Sequence, residues 1–68
     1  MIGVVKSYDP RRGIGELTPD GGGADVVVYV SEVERAGIAR LTAGERLSFT
    51  VQADKMRKRK FAVKLEML

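Results

Sequence analysis

Asp25-Val26-Val27-Val28-Tyr29-Val30-Ser31, preceded by Arg12-Gly13-Ile14-Gly15-Glu16-Leu17, is the part of this 68-residue chain whose reading decides the fold. Val26 to Val30 is a continuous apolar run of β-branched residues, which predicts a strand partly buried on both faces. Ile14 to Thr18 predicts a strand before it. The loop chemistry of Pro19-Asp20-Gly21-Gly22-Gly23 separates the two. Upstream, Ile2 to Tyr8 predicts a first strand, and Asp9-Pro10-Arg11-Arg12-Gly13 a turn, with proline fixing φ and glycine open to positive φ. Downstream, Ser31-Glu32-Val33-Glu34 predicts one short helical turn capped by Ser31, with Glu34 at the capping-box offset. Ala36 to Ala43 reads as a loop leading to Gly44. Arg46 to Ala53 alternates through Leu47, Phe49 and Val51 and predicts a fourth strand. After a basic turn, Lys60 to Leu68 predicts a fifth through Phe61, Val63 and Leu65. Five short strands with close turns argue for an all-β small barrel or sandwich. No repeat, heptad or linker interrupts the pattern, so residues 1–68 are expected to form a single domain.

Composition excludes several classes of function. Cysteine and histidine are both absent, which removes a disulfide framework, the common transition-metal ligands, the usual general base and the thiol nucleophile. No enzyme activity, cofactor or metal is expected. Glu32 and Glu34 are paired carboxylates without a pocket that so short a chain could enclose. Gly21-Gly22-Gly23 lacks the G-x-x-x-x-G-K-[ST] pattern of a phosphate loop, and Gly13-x-Gly15 lacks the helix a dinucleotide site needs. No apolar run approaches the roughly 20 residues that span a bilayer. Met1 opens directly into a strand pattern rather than a signal peptide, so a cytoplasmic protein with no membrane contact is the expectation.

The charge is unevenly placed. The net charge is +3 and the pI near 9.6, yet Lys55, Arg57, Lys58, Arg59 and Lys60 crowd one short segment. Lys6, Arg11 and Arg12 form a smaller group, while the acidic residues are spread out. Local positive potential of this kind favours a polyanion such as nucleic acid. Lysines that guard a sheet edge explain the same cluster equally well.

Read in order, these pieces resemble the bacterial cold-shock proteins along essentially the whole chain. Gly3-Val4-Val5-Lys6 is similar to the family's opening G-x-V-K. Arg12 to Leu17 stands where the family has K-G-F-G-F-I, and Asp25 to Ser31 where it has D-V-F-V-H-x-S. Gly37-Ile38, Leu41 and Gly44 fit G-F-x-x-L-x-x-G, Ser48-Phe49 the fourth strand, and Val63 the valine near its end. The resemblance implies a five-stranded antiparallel OB-fold barrel that binds single-stranded RNA or DNA, with a role in RNA chaperoning or in adjusting transcription and translation under stress. Val5, Leu17, Val26, Val28, Leu47, Phe49, Val51 and Val63 are expected inside it.

The departures concentrate on one face. Ser7 and Tyr8 stand where the family has tryptophan and phenylalanine, Ile14 and Glu16 replace the two phenylalanines of the first motif, and Val27 and Tyr29 replace the phenylalanine and histidine of the second. Val30 and Ile38 replace two further aromatics. Stacking of a base on a ring contributes about 1–3 kcal/mol, so loss of several rings weakens that mode unless cations substitute. A carboxylate at Glu16 repels phosphate across a screening length of about 8–10 Å. The expected nucleic-acid contacts are Lys6, Tyr8, Arg12, Ile14, Val27, Tyr29, Ile38, Lys58 and Arg59, with arginine also able to stack on bases. Tyr8 reads somewhat better as a core or boundary residue whose hydroxyl reaches solvent than as a base platform. Ile14, Val27, Val30 and Ile38 could instead form an apolar patch for another protein or a second copy. The sequence leaves open a monomer and a strand-exchanged dimer.

Overall fold

Alternation along each strand sets what fills this molecule, which the computed structural model describes over residues 1–68. Strands β1 (Ile2–Asp9), β2 (Ile14–Pro19) and β3 (Val26–Tyr29) are followed by a short helix α1 (Val30–Arg35), then β4 (Arg46–Asp54) and β5 (Arg59–Met67). They close into a barrel in the order β1-β2-β3-β5-β4, with β4 returning to β1. All neighbours run antiparallel except β3 and β5, whose parallel seam rests on Val27 opposite Phe61.

The inward positions make one cluster: Val5, Leu17, Val26, Val28, Leu47, Phe49, Ala62 and Leu65 from the strands, Val33 from α1 and Leu41 from the loop beyond it. Burial of a Val, Leu or Phe side chain contributes about 1.5–3 kcal/mol, and no polar residue interrupts the interior. The expected interior is present, with Val51 half-buried against the cluster and Val63 buried just outside it.

Two sequence expectations need correction. Val30 does not end β3 but opens α1. Ser31 is therefore not the cap: the cap position is Tyr29, in extended conformation and with no side-chain cap bond. The helix gains its definition at the other end, where the Gly37 amide donates to the Glu34 carbonyl and the Ile38 amide to the Val33 carbonyl. That bond pair closes a helix, and the apolar residue after the glycine folds back onto it. In β5, Phe61 and Leu65 lie on opposite faces although they stand four residues apart. Register against β4 slips between Ser48 and Thr50, and Lys64 adopts φ 53°. This bulge changes the parity of the strand, so Ala62 and Leu65 face the core while Phe61 joins the outer face.

The hairpin turns β1–β2 and β4–β5 share one construction. Asp9 Oδ1 accepts the amides of Arg11 and Arg12 at 3.0 and 3.4 Å, and Asp54 Oδ1 accepts those of Met56 and Arg57 at 3.0 and 3.2 Å. Each turn ends on a left-handed residue, Gly13 at φ 70° and Lys58 at φ 53°. Glycine adopts that conformation freely, whereas an L side chain costs about 1–2 kcal/mol there. Lys58→Gly recovers part of this cost against the added freedom of the unfolded chain, about 0.4–1 kcal/mol. The expected outcome is a melting temperature higher by about 2–8 °C, as ~1 kcal/mol moves a domain of this size by about 4–8 °C. Circular dichroism melts of the variant and the wild type check it; a lower melting temperature would refute the account of this turn.

Candidate nucleic-acid interface

The outward positions of the strands meet in two cross-strand rows. Ser7 lies opposite Glu16, Glu16 opposite Val27, and Val27 opposite Phe61. In the next row Asp9 faces Ile14, and Ile14 faces Tyr29. Most positions at which the chain departs from the aromatic pattern therefore adjoin one another. Phe61, supplied by β5, sits with its ring centroid 5.9 Å from that of Tyr29, at an interplanar angle of 56°. Such a tilted pair is a favoured aromatic contact.

Two open depressions flank these rows. The first is lined by Tyr8, Arg12, Ile14, Glu16, Val27 and Arg59, together with Ser7, Asp9 and Gly15. The second is lined by Arg12, Gly13, Tyr29, Val30, Ser31, Asp54, Met56 and Arg57. Arg12 forms a wall of both. Its turn is held against the start of α1 by the Val30 amide, which donates to the Gly13 carbonyl at 2.9 Å.

Tyr8 is half-buried against the core and also lines the first depression. Its ring lies against Gly15, where an added Cβ would come within 2.9 Å of Tyr8 Cδ1 and 2.7 Å of the Ser7 carbonyl oxygen. Glycine is what lets the ring settle across β2.

The remaining candidates lie elsewhere. Lys6 stands at a bulge in β1 between Val5 and Ser7 and donates to Asp25 Oδ2 at 2.8 Å, while the Thr18 hydroxyl donates to Asp25 Oδ1 at 3.1 Å. Its charge is thus met within the protein. Ile38 is half-buried against the core at the helix stop. Lys58 is exposed in the β4–β5 turn and lines neither depression.

Arg57 and Phe61 belong to this face although sequence reasoning did not single them out. The Arg57 guanidinium carbon lies 5.2 Å from the centroid of the Tyr29 ring, and its Nε is 3.9 Å from Asp54 Oδ2. The nearby Tyr29 hydroxyl, with Asp54, raises the Arg57 pKa further above its ordinary value. The contact is nevertheless with the ring rather than a directed hydrogen bond, because the Tyr29 hydroxyl is buried without a partner. Phe61 is turned outward by the bulge that follows it at Lys64, which no local sequence signal marks. For Arg57 the signal was its place in the turn, third beyond Asp54 as Arg12 is third beyond Asp9. Met56 beside it is 95% exposed.

Glu16 is exposed, makes no salt bridge, and shares the first depression with Arg12 and Arg59. No group of three or more potential ligand side chains is placed to hold a metal ion. No helix is long and apolar enough to cross a membrane.

A family described as the "'Cold-shock' DNA-binding domain" matches residues 1–67. The chain belongs to the cold-shock domain family. It is 42% identical over 53 residues to a probable cold shock protein of Sinorhizobium fredii, covering 78% of this chain and 77% of that one. A cold shock protein of Vibrio cholerae is 40% identical over 55 residues, covering 81% and 79%. One from Rhizobium meliloti is 38% identical over 52 residues, covering 76% and 75%. Cold-shock proteins are binders of nucleic acid rather than enzymes.

The Lys6–Asp25 pair gives the cold-shock barrel a definite pH response. The hydrogen bond from Lys6, then that from Thr18, lowers the Asp25 pKa, and Asp25 in turn raises that of Lys6. A lowered carboxylate contributes stability above its unfolded pKa and loses it as pH falls through the folded value. A raised lysine contributes below its unfolded pKa and loses it as pH rises through the folded value. The stabilisation therefore spans neutral pH and fades in acid below about pH 4 and in base above about pH 10.5. Melting curves of wild type and Asp25→Asn should differ most near neutral pH and converge in acid once the lowered Asp25 carboxylate is protonated. A gap independent of pH would show that the pair contributes through packing rather than charge.

Proposed function

We propose that this cold-shock domain binds single-stranded RNA or DNA across the outer rows of β1, β2, β3 and β5, in a mode weighted towards arginine contacts with limited stacking. The observation that carries the reading is convergence. Arg12 from one hairpin, with Arg57 and Arg59 from the other, surrounds the half-buried Tyr8, Ile14, Val27, Tyr29 and Phe61. Cations at the rim meet phosphates, while the apolar row receives bases edge-on or by partial stacking. The family's nucleic-acid-binding description and relatives named as cold shock proteins support it. The corresponding cellular role is RNA chaperoning or modulation of transcription and translation in the cytoplasm.

Protein contact or self-association through the aliphatic face is the competing reading. It is less well supported, because Ile14 and Val27 are only half-exposed and share their depression with Arg12, Glu16 and Arg59. An interface core is depleted in such charges.

Fluorescence anisotropy of a labelled oligopyrimidine, as RNA and as DNA, tests the proposal at low and at physiological salt. The expected result is saturable binding that weakens with salt and quenches tyrosine emission. Glu16→Lys should tighten it and steepen the logarithmic salt slope by about 0.7, the increment for one further contact with a single strand. Absence of saturable binding at low salt, with salt-insensitive self-association in sedimentation, would transfer support to the competing reading.

A further inference from the structure

Arg57 covers the ring on which a base would otherwise stack. The guanidinium lies over Tyr29, and the ring's hydroxyl is buried. The Arg57 side chain itself remains 62% exposed. Asp54 braces it twice, through the backbone amide at 3.2 Å and through Nε at 3.9 Å. A strand approaching this depression therefore meets a held guanidinium before it meets the tyrosine.

We propose that Arg57, carried on Tyr29 and braced by Asp54, is a stacking platform for one base of the bound strand. The inference rests on the single-strand reading above and names the residue that stands in for a missing ring. A guanidinium is planar and weakly hydrated, and it stacks on aromatic faces on either side. It can therefore keep its contact with Tyr29 while a base lies on its outer surface. Lysine carries the same charge but has no plane to offer. Arg12, the opposite wall of the depression, makes no such contact with an aromatic ring, so the platform is specific to the β4–β5 turn.

The test compares wild type, Arg57→Lys and Arg57→Ala. Each is titrated against a labelled oligopyrimidine and against the same backbone carrying abasic sites. Arg40→Lys, exposed and remote from both depressions, serves as the control. The expected result is that Arg57→Lys weakens binding to the base-bearing strand by about fivefold or more, the order expected for one lost stacking contact. Its salt slope should be unchanged because the charge is kept, and its affinity for the abasic strand should equal that of wild type. Equal affinity of Arg57→Lys and wild type for the base-bearing strand would overturn the platform and leave Arg57 a point charge. Tighter binding by Arg57→Ala would overturn it in favour of a cover that ligand must displace. Failure of wild type to bind any strand would remove the parent reading and this one with it, an outcome distinct from the other two.

Discussion

Closure of the sheet through β1 is the constraint from which the rest of the molecule follows. This strand is bonded on one edge to β2 and on the other to β4. The join continues past the strand ends, with the Met1 amine donating to the Phe49 carbonyl and the Val5 amide to that of Glu45. A short chain has little apolar area with which to offset folding entropy, so an unpaired edge or a slipped register would be costly. A closed ring removes the edges and fixes which side chains face inward. Once parity is fixed, the outer rows can change from aromatic to aliphatic, hydroxyl or acidic residues without disturbing Leu17, Val28 or Leu47. That separation explains how a complete cold-shock interior coexists with a rewritten outer face.

Parity also decides how much of this was legible beforehand. Val26 and Val28 inward with Val27 and Tyr29 outward follow from simple alternation, as do Leu47 and Phe49, and the five strands are readable from turn chemistry. Alternation failed where the backbone departs from it. The bulge at Lys64 puts Phe61 and Leu65 on opposite faces, and nothing local marks a lysine that adopts a left-handed conformation. Val30 opens the helix although its amide still bonds across to the Gly13 carbonyl, a partner far off in sequence that no capping rule anticipates. Ile38 resembles a surface aromatic position in the family pattern, yet its packing against the core also fits the helix stop at Gly37. The pairing of Lys6 with Asp25 likewise depends on a contact between distant strands.

The two aspartate turns carry the site's geometry. In each, a carboxylate holds the amides of the second and third residues beyond it, fixing the backbone from which an arginine projects. Arg12 and Arg57 occupy the same place in their respective turns, and ring closure brings those turns to either side of Tyr29. Neither arginine is distinguished from its basic neighbours by sequence, since Arg11 and Lys58 adjoin them and carry the same charge. What separates them is direction, and direction is set by turn conformation and barrel closure together. The charge cluster was visible as composition; which of its members face Tyr29 was not.

Exchanging rings for guanidinium groups changes the physics of binding as well as its strength. Contact with a ring is little affected by salt, whereas attraction between arginine and phosphate falls as released counterions gain less entropy in a saltier solution. Glu16 sharpens the difference, because it stands in the middle of the row between Ser7 and Val27 and repels a phosphate that would cross there. In the proposed mode, a bound strand then does best with its phosphates towards the Arg12 and Arg57 side and its bases over Val27, Tyr29 and Phe61. A platform made from a guanidinium over a tyrosine suits that path, since one side chain supplies both charge and a flat surface. On the proposed reading, such a site holds its ligand by a few cooperating cations on a rigid barrel, and its occupancy responds to ionic conditions more steeply than that of an all-aromatic face.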